Sequence, residues 1–183
     1  MKLRFILIIL LAVNFKPVNA QINNFAVELN KQFNTIFNEI PNEYCKKLYG
    51  NSRNSGTNTY NSTVELPQSV HNRFDLAPAY GYPMIFMSYL PAGNNLADAA
   101  AQLKNIGKVI ENMVINFHDK DYKILFSAKD SKDGERPDFK YRLENPPAEL
   151  ANAQIYIRID EAGEPVNLSQ NKWQFTLGIM VKK

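Results

Sequence analysis

Histidine and cysteine, the side chains that most often supply bases, metal ligands and nucleophiles, are scarce in this chain of 183 residues, which holds His71, His118 and Cys45 and no others of those types. The densest cluster of chemically capable groups is "HNRFDLAPAYGYP", which carries His71, Arg73, Asp75, Tyr80 and Tyr82 among two prolines and a glycine. Tyr and Arg suit the desolvated centre of an interface, and loops seated on a rigid sheet are where binding side chains concentrate. The stretch is therefore expected to be a binding loop, with His71, Arg73, Asp75, Tyr80 and Tyr82 as the candidate residues. A plain connection whose aromatics cover the edge of the core is the alternative.

Nucleophilic catalysis needs a nucleophile, a base and an orienting group that converge. Cys45, His71 and Asp75 are the right types for a small thiol hydrolase, with His118 as a second choice of base. Against this, Cys45 sits in "EYCKK" at an apolar position of a helical pattern, where a cysteine behaves as a small buried hydrophobe. Metal binding is not expected, because the two histidines are far apart and neither has a second at ligand spacing. "HDKD" (His118, Asp119, Asp121) reads as the solvated turn that ends a helix. "LPAGNNLADA" has one glycine and no Gly-Lys-Ser/Thr ending, so it is no phosphate-binding loop. "KDSKDGE" would place Lys129 and Lys140 at the first and last ligand positions of a calcium loop, where carboxylates are required. Glycoside hydrolysis needs only two carboxylates, which any chain with 18 acidic residues offers, so the sequence alone does not test that activity; no cofactor is expected.

The elements that position these residues follow from hydrophobic spacing. Ile22, Phe25, Ala26, Leu29, Phe33, Ile36, Phe37 and Ile40 recur every three or four residues and predict a helix over Gln21 to Ile40, stopped by Pro41. "PNEYCKKLYG" is expected to continue it with Tyr44, Cys45 and Leu48 inward and Gly50 as a cap. Leu96, Ala99, Leu103, Ile106, Ile110, Met113, Val114 and Phe117 predict a second helix over Asn95 to Phe117, with Asn95 as its N-cap. "MIFMSYL" (Met84 to Leu90) is apolar throughout, as a centrally placed strand is. "DYKILFSAK", "FKYRL", "IYIRID" and "KWQFTLGIMV" alternate as strands do. Strand, helix and strand in succession suggest a right-handed βαβ crossover. The predicted fold is α/β, a two-layer mixed sheet of about five strands with two main helices, α+β being the other option. The polar "NSRNSGTNTYNST" (Asn51 to Thr63) is expected to be a loop.

Compartment and partner class follow from the ends and the charge. Lys2 and Arg4, the apolar "FILIILLAV" and the small Val18 and Ala20 read as a signal peptide over residues 1–20, leaving residues 21–183 as one globular domain. The excess of 21 basic over 18 acidic residues disappears once Lys2, Arg4 and Lys16 are set aside, since 21 − 3 = 18. No global basic field exists to attract nucleic acid. One cysteine cannot make an internal disulfide, so stability rests on the core. Sequons at Asn61 and Asn167 matter only in a glycosylating secretory pathway. Together these features point to an exported, non-enzymatic binding or assembly module of the periplasm or extracellular space, with a protein partner and no integral membrane segment once the signal is cut. A carrier of a small apolar ligand, held between the first helix and the sheet, is the third reading.

Overall fold

The computed structural model describes residues 18–52, 58–130, 138–162 and 171–183. Most of the predicted signal peptide, the Asn167 sequon and the calcium-like run lie outside the described residues. Helix α1 (Val18–Glu39) precedes four strands, β1 (Tyr49–Ser52), β2 (Thr59–Ser62), β3 (His71–Ala77) and β4 (Tyr82–Gly93). Helix α2 (Leu96–Glu111) then leads to β5 (Val114–Phe117), β6 (Lys120–Asp130), β7 (Asp138–Leu143), β8 (Ala153–Glu161) and β9 (Trp173–Val181). All nine strands form one sheet in the order β1-β2-β3-β4-β9-β8-β7-β6-β5, and every neighbouring pair is antiparallel.

The two-layer mixed sheet of about five strands is thus overturned, as is the parallel crossover. Strands β4 and β6 are not neighbours, because β7, β8 and β9 lie between them. The chain leaves β4 through α2, crosses to the far edge and returns as a meander whose last strand inserts beside β4. That pairing joins Met84 to Val181, residues almost a hundred positions apart, so no local pattern announces it. The predicted second helix also ends early, at Glu111. Met113 and Phe117, four apart, satisfy helical and strand periodicity alike. The structure adopts the strand, with Ile115 and Phe117 buried and Val114 and Asn116 exposed. His118 and Asp119, at φ 51° and 60°, then form the two-residue turn between Phe117 and Lys120. Two successive positive φ angles match the twist of a tight hairpin, so "HDKD" ends a strand rather than a helix.

Both helices cover the same face of the sheet. Leu29, Phe33, Ile36 and Phe37 of α1 and Ala99, Leu103 and Ile110 of α2 join Met84, Phe86 and Leu90 of β4 and the odd-numbered residues Trp173 to Val181 of β9 in one cluster. Asn95 caps α2 as the sequence predicts, its Oδ1 accepting from the backbone N–H groups of Ala97 (2.8 Å) and Asp98 (3.4 Å). Gly107 lets α2 approach closely, since a Cβ there would lie 2.6 Å from the Tyr141 hydroxyl oxygen.

The β5 edge of the sheet is closed by asparagines of α1. Asn34 Oδ1 accepts from the Asn116 N–H (2.6 Å), Asn34 Nδ2 donates to the Val114 carbonyl (3.1 Å), and Asn38 Nδ2 donates to the Asn116 carbonyl (2.8 Å). One turn of helix apart, these two side chains take the bonds a further strand would make, which removes an aggregation-prone edge. After α1 the chain reverses through Glu43, Tyr44 and Cys45, all in the left-handed region at φ 52°, 54° and 66°. The expected helical continuation is instead a short 3-10 turn, Lys46–Leu48, running into β1. Tyr44 is accordingly exposed rather than inward, and Gly50 is a strand residue.

Candidate functional site

The face of the sheet turned away from the helices holds the candidate site. His71, Arg73 and Asp75 do not lie in a loop. They occupy alternate positions of β3, with Asn72 and Phe74 buried on the helix side between them. Period-two alternation therefore points all three onto the second face. Tyr80 is separate from them, 82% exposed in the 3-10 turn Pro78–Tyr80, and Tyr82 opens β4 opposite Ala77. The expected cluster of five thus resolves into three residues on the face and two at its end. In "HNRFDLA" only Phe74 and Leu76 alternate with the polar Arg73 and Asp75 as in a strand, since the core-side Asn72 is itself polar; the prolines and glycine that follow belong to the turn.

Register brings in residues that the sequence reading passed over. Arg73 lies level with Met87, Gly178 and Tyr156, and His71 with Tyr89, Thr176 and Arg158. Arg73 pairs with Asp75 at 3.1 Å, and its guanidinium carbon sits 5.3 Å from the centre of the Tyr89 ring. Across β4 and β9, Arg158 pairs with Asp160 at 2.9 Å, and Thr176 Oγ1 donates to the same carboxylate at 2.6 Å. His71 stacks on Tyr89 with ring centres 6.2 Å apart. Met87, Tyr89 and Tyr156 form a second, small apolar cluster beneath these charges. Tyr156 lies across Gly178, where a Cβ would meet its hydroxyl oxygen at 2.6 Å.

The electrostatics follow from that packing. Burial raises the Tyr89 and Tyr156 hydroxyls above the ordinary phenol range, with Asp75 and Asp160 adding to it. Burial opposes the charge of Arg158, but the Asp160 carboxylate beside it more than compensates and leaves its pKa raised. Both tyrosines are neutral donors and Arg158 is a cation over the whole physiological range. Arg73 Nε, Asp75 Oδ1, Gln154 Oε1 and Gln174 Oε1 are shielded from water without a hydrogen bond to any described residue. A sheet face needs none of this to fold. Unsatisfied polar atoms and partly buried ion pairs are costly, and native structures hold few of them without a functional reason. The arrangement can grip a partner through donors, acceptors and both signs of charge. Among the described residues there is no group of three or more His, Cys, Asp or Glu side chains suited to a metal ion.

Cys45 lies elsewhere. It is fully buried in the helix-side cluster, where its thiol donates to the Ile36 carbonyl at 3.4 Å. Burial, reinforced by Glu39, pushes its pKa well up. The thiol and His71 are on opposite sides of the sheet, so the Cys45–His71 pair does not form. Cys45 is therefore expected to resist iodoacetamide in the native protein and to react on denaturation, read by intact mass; rapid native labelling would contradict its burial. A free thiol ionises near pH 9.0 and the fold holds the proton, so this contribution to stability is full below that pH and is lost as the pH rises above it.

The space between α1 and the sheet, proposed for an apolar ligand, is filled by Leu29, Phe33 and Ile36, each 0% exposed. An open groove of about 520 Å³ runs instead between the two helices, past Val27, Asn30, Val109 and Met113. No described helix is long and apolar enough to cross a membrane. No protein-family model, curated protein or solved structure matches the chain.

Proposed function

We propose that this is an exported, non-enzymatic binding module, acting in the periplasm or outside the cell, whose protein-binding surface is the second face of the sheet. The observation that carries the reading is the pair of Arg–Asp ion pairs flanking Tyr89 and Tyr156, set among polar atoms that the fold leaves unsatisfied. The sequence adds the leader-like residues 1–20 and a charge balance that favours neither nucleic acid nor an anionic surface. Arg and Tyr are the side chains most often found to dominate interface energetics. The Cys45 and His71 of the thiol-hydrolase alternative lie on opposite sides of the sheet, and the groove between the helices is open rather than enclosed.

The reading is tested by photo-crosslinking in the producing cell from Ile85, on the second face, and from Val27, on α1. Adducts are expected from Ile85, and replacing both Arg73 and Arg158 by alanine is expected to weaken capture about 30-fold or more, as loss of interface hot spots does. Adducts from Val27 alone, or adducts from Ile85 that survive the double replacement, would assign the surface elsewhere. The mature mass, expected to begin at Gln21, checks export.

A further inference from the structure

The two ion pairs are not independent features. An axis through the Ser88↔Leu177 pair, perpendicular to the sheet, exchanges β4 with β9 and β3 with β8. The observed registers show what it does to the charges. Because His71 pairs with Tyr89, Tyr89 with Thr176 and Thr176 with Arg158, the rotation carries Arg73 onto Arg158 and Asp75 onto Asp160. Each half of the sheet thus presents Arg, one inward residue and Asp, in "RFD" and "RID", at equivalent places about one centre. About that centre lie Met87 and Tyr89 of β4 and Gly178 and Thr176 of β9, with Tyr156 packed over Gly178, so the middle of the face is apolar and the charges flank it.

Resting on the binding-face reading above, and naming its partner, we propose that the occupant of this face is a second copy of the chain, packed sheet to sheet about a two-fold axis. Charge complementarity selects this occupant. The two pairs present two arginines and two aspartates, and β7 adds Asp138 level with Arg158 and Lys140 level with Tyr156, so a partner of either single sign would meet repulsion, whereas a face of mixed sign can meet its own image with the Arg and Asp of the two pairs opposed. The geometry allows it. With strands about 4.8 Å apart and residues about 3.4 Å apart, the arginines lie about 8 Å from the centre and the aspartates about 12 Å, in directions some 30° apart. Turning a second copy over so that its strands cross the first at about 80° brings each Arg73 within about 5 Å, in projection, of the other copy's Asp75, and Arg158 likewise of Asp160. That crossing is close to the orthogonal packing angle of sheet on sheet. Six strands by about eight residues give the face a footprint of roughly 800 Å². An interface of two such faces is isologous, as closed homodimers require.

The test is sedimentation velocity on the mature chain from micromolar to near-millimolar concentration. A concentration-dependent dimer is expected. R73D should weaken it at least tenfold, and so should D75R, because each puts like charges face to face. An equimolar mixture of R73D and D75R chains should restore association as a heterodimer, in which both contacts are again of opposite sign; thermal melts of the single variants show whether each is folded. A wild-type monomer at the highest concentration overturns the proposal, as does a dimer indifferent to R73D and D75R or a mixture that fails to reassociate while both chains are folded. If the wild type is monomeric yet Ile85 crosslinks another protein in an arginine-dependent way, the binding-face reading survives and the homodimer does not. If neither occurs, both fall.

Discussion

Replacing Gly178 by alanine is expected to destabilise the protein by about 3 kcal/mol or more, because overpacking against backbone has no cheap escape. The added Cβ would lie 2.3 Å from the Phe86 carbonyl oxygen and 2.6 Å from the Tyr156 ring. A flexible side chain can yield; a carbonyl in the central β4–β9 pair cannot, since moving it disturbs the registry of the two strands that join the halves of the sheet. The effect should appear as a fall in melting temperature of about 6–12 °C at this chain length. Tyr156→Ala in the same chain should not restore it, since the backbone contact persists. Rescue by that second change would show that the ring, not the carbonyl, dictates glycine.

Phe33→Ala should cost about 3–5 kcal/mol, the loss that follows from emptying an aromatic site in a close-packed core. Phe33 is 0% exposed and packs, with Leu29, Ile36 and Phe37, in the cluster shared by both helices and the sheet. Val27→Ala on the same helix, at a site 70% exposed, should change stability by less than about 0.5 kcal/mol. Denaturant titration of the two variants separates a helix that is part of the core from one that merely follows the leader. Equal effects would mean that α1 does not pack on the sheet as described.

The site and its homotypic reading share one origin. Central strands β4 and β9 bury their helix-facing residues in the core, while on the other face the Arg–Asp pairs are carried by the flanking strands β3 and β8. Glycine at position 178 allows the Tyr156 ring to lie flat between the ion pairs, so a substitution that disturbs the central pair should disturb the binding face with it.

The features readable from neighbouring residues are local ones. The period-3.6 stripe of α1, the Asn95 cap and the alternation of "IYIRID" and "KWQFTLGIMV" are properties of neighbouring residues, and they appear in the structure as read. Cys45 is buried as expected, but through a left-handed turn rather than the helical pattern read in "EYCKK", which also put the exposed Tyr44 inward. His71, Arg73 and Asp75 were legible as a cluster, but their setting was misjudged, because the prolines and glycine of the following turn masked the alternation within "HNRFDLA". Short strands failed for a similar reason: four residues such as "VINF" are too few to distinguish a strand from the last turn of a helix.

Tertiary structure decided the rest. Whether β6 or β9 sits beside β4 depends on pairing between segments almost a hundred residues apart, where the energetic gain comes from the whole buried face and the entropic cost from closing the loop. Neither term is visible in a window of neighbouring residues. The same pairing brings Arg158 and Asp160 to the face that Arg73 and Asp75 occupy and makes the two pairs equivalent by rotation. A sequence can state that "RFD" and "RID" both occur; only the register of β3, β4, β9 and β8 sets them at matching distances about one centre, because register is fixed by which side chains must be buried together.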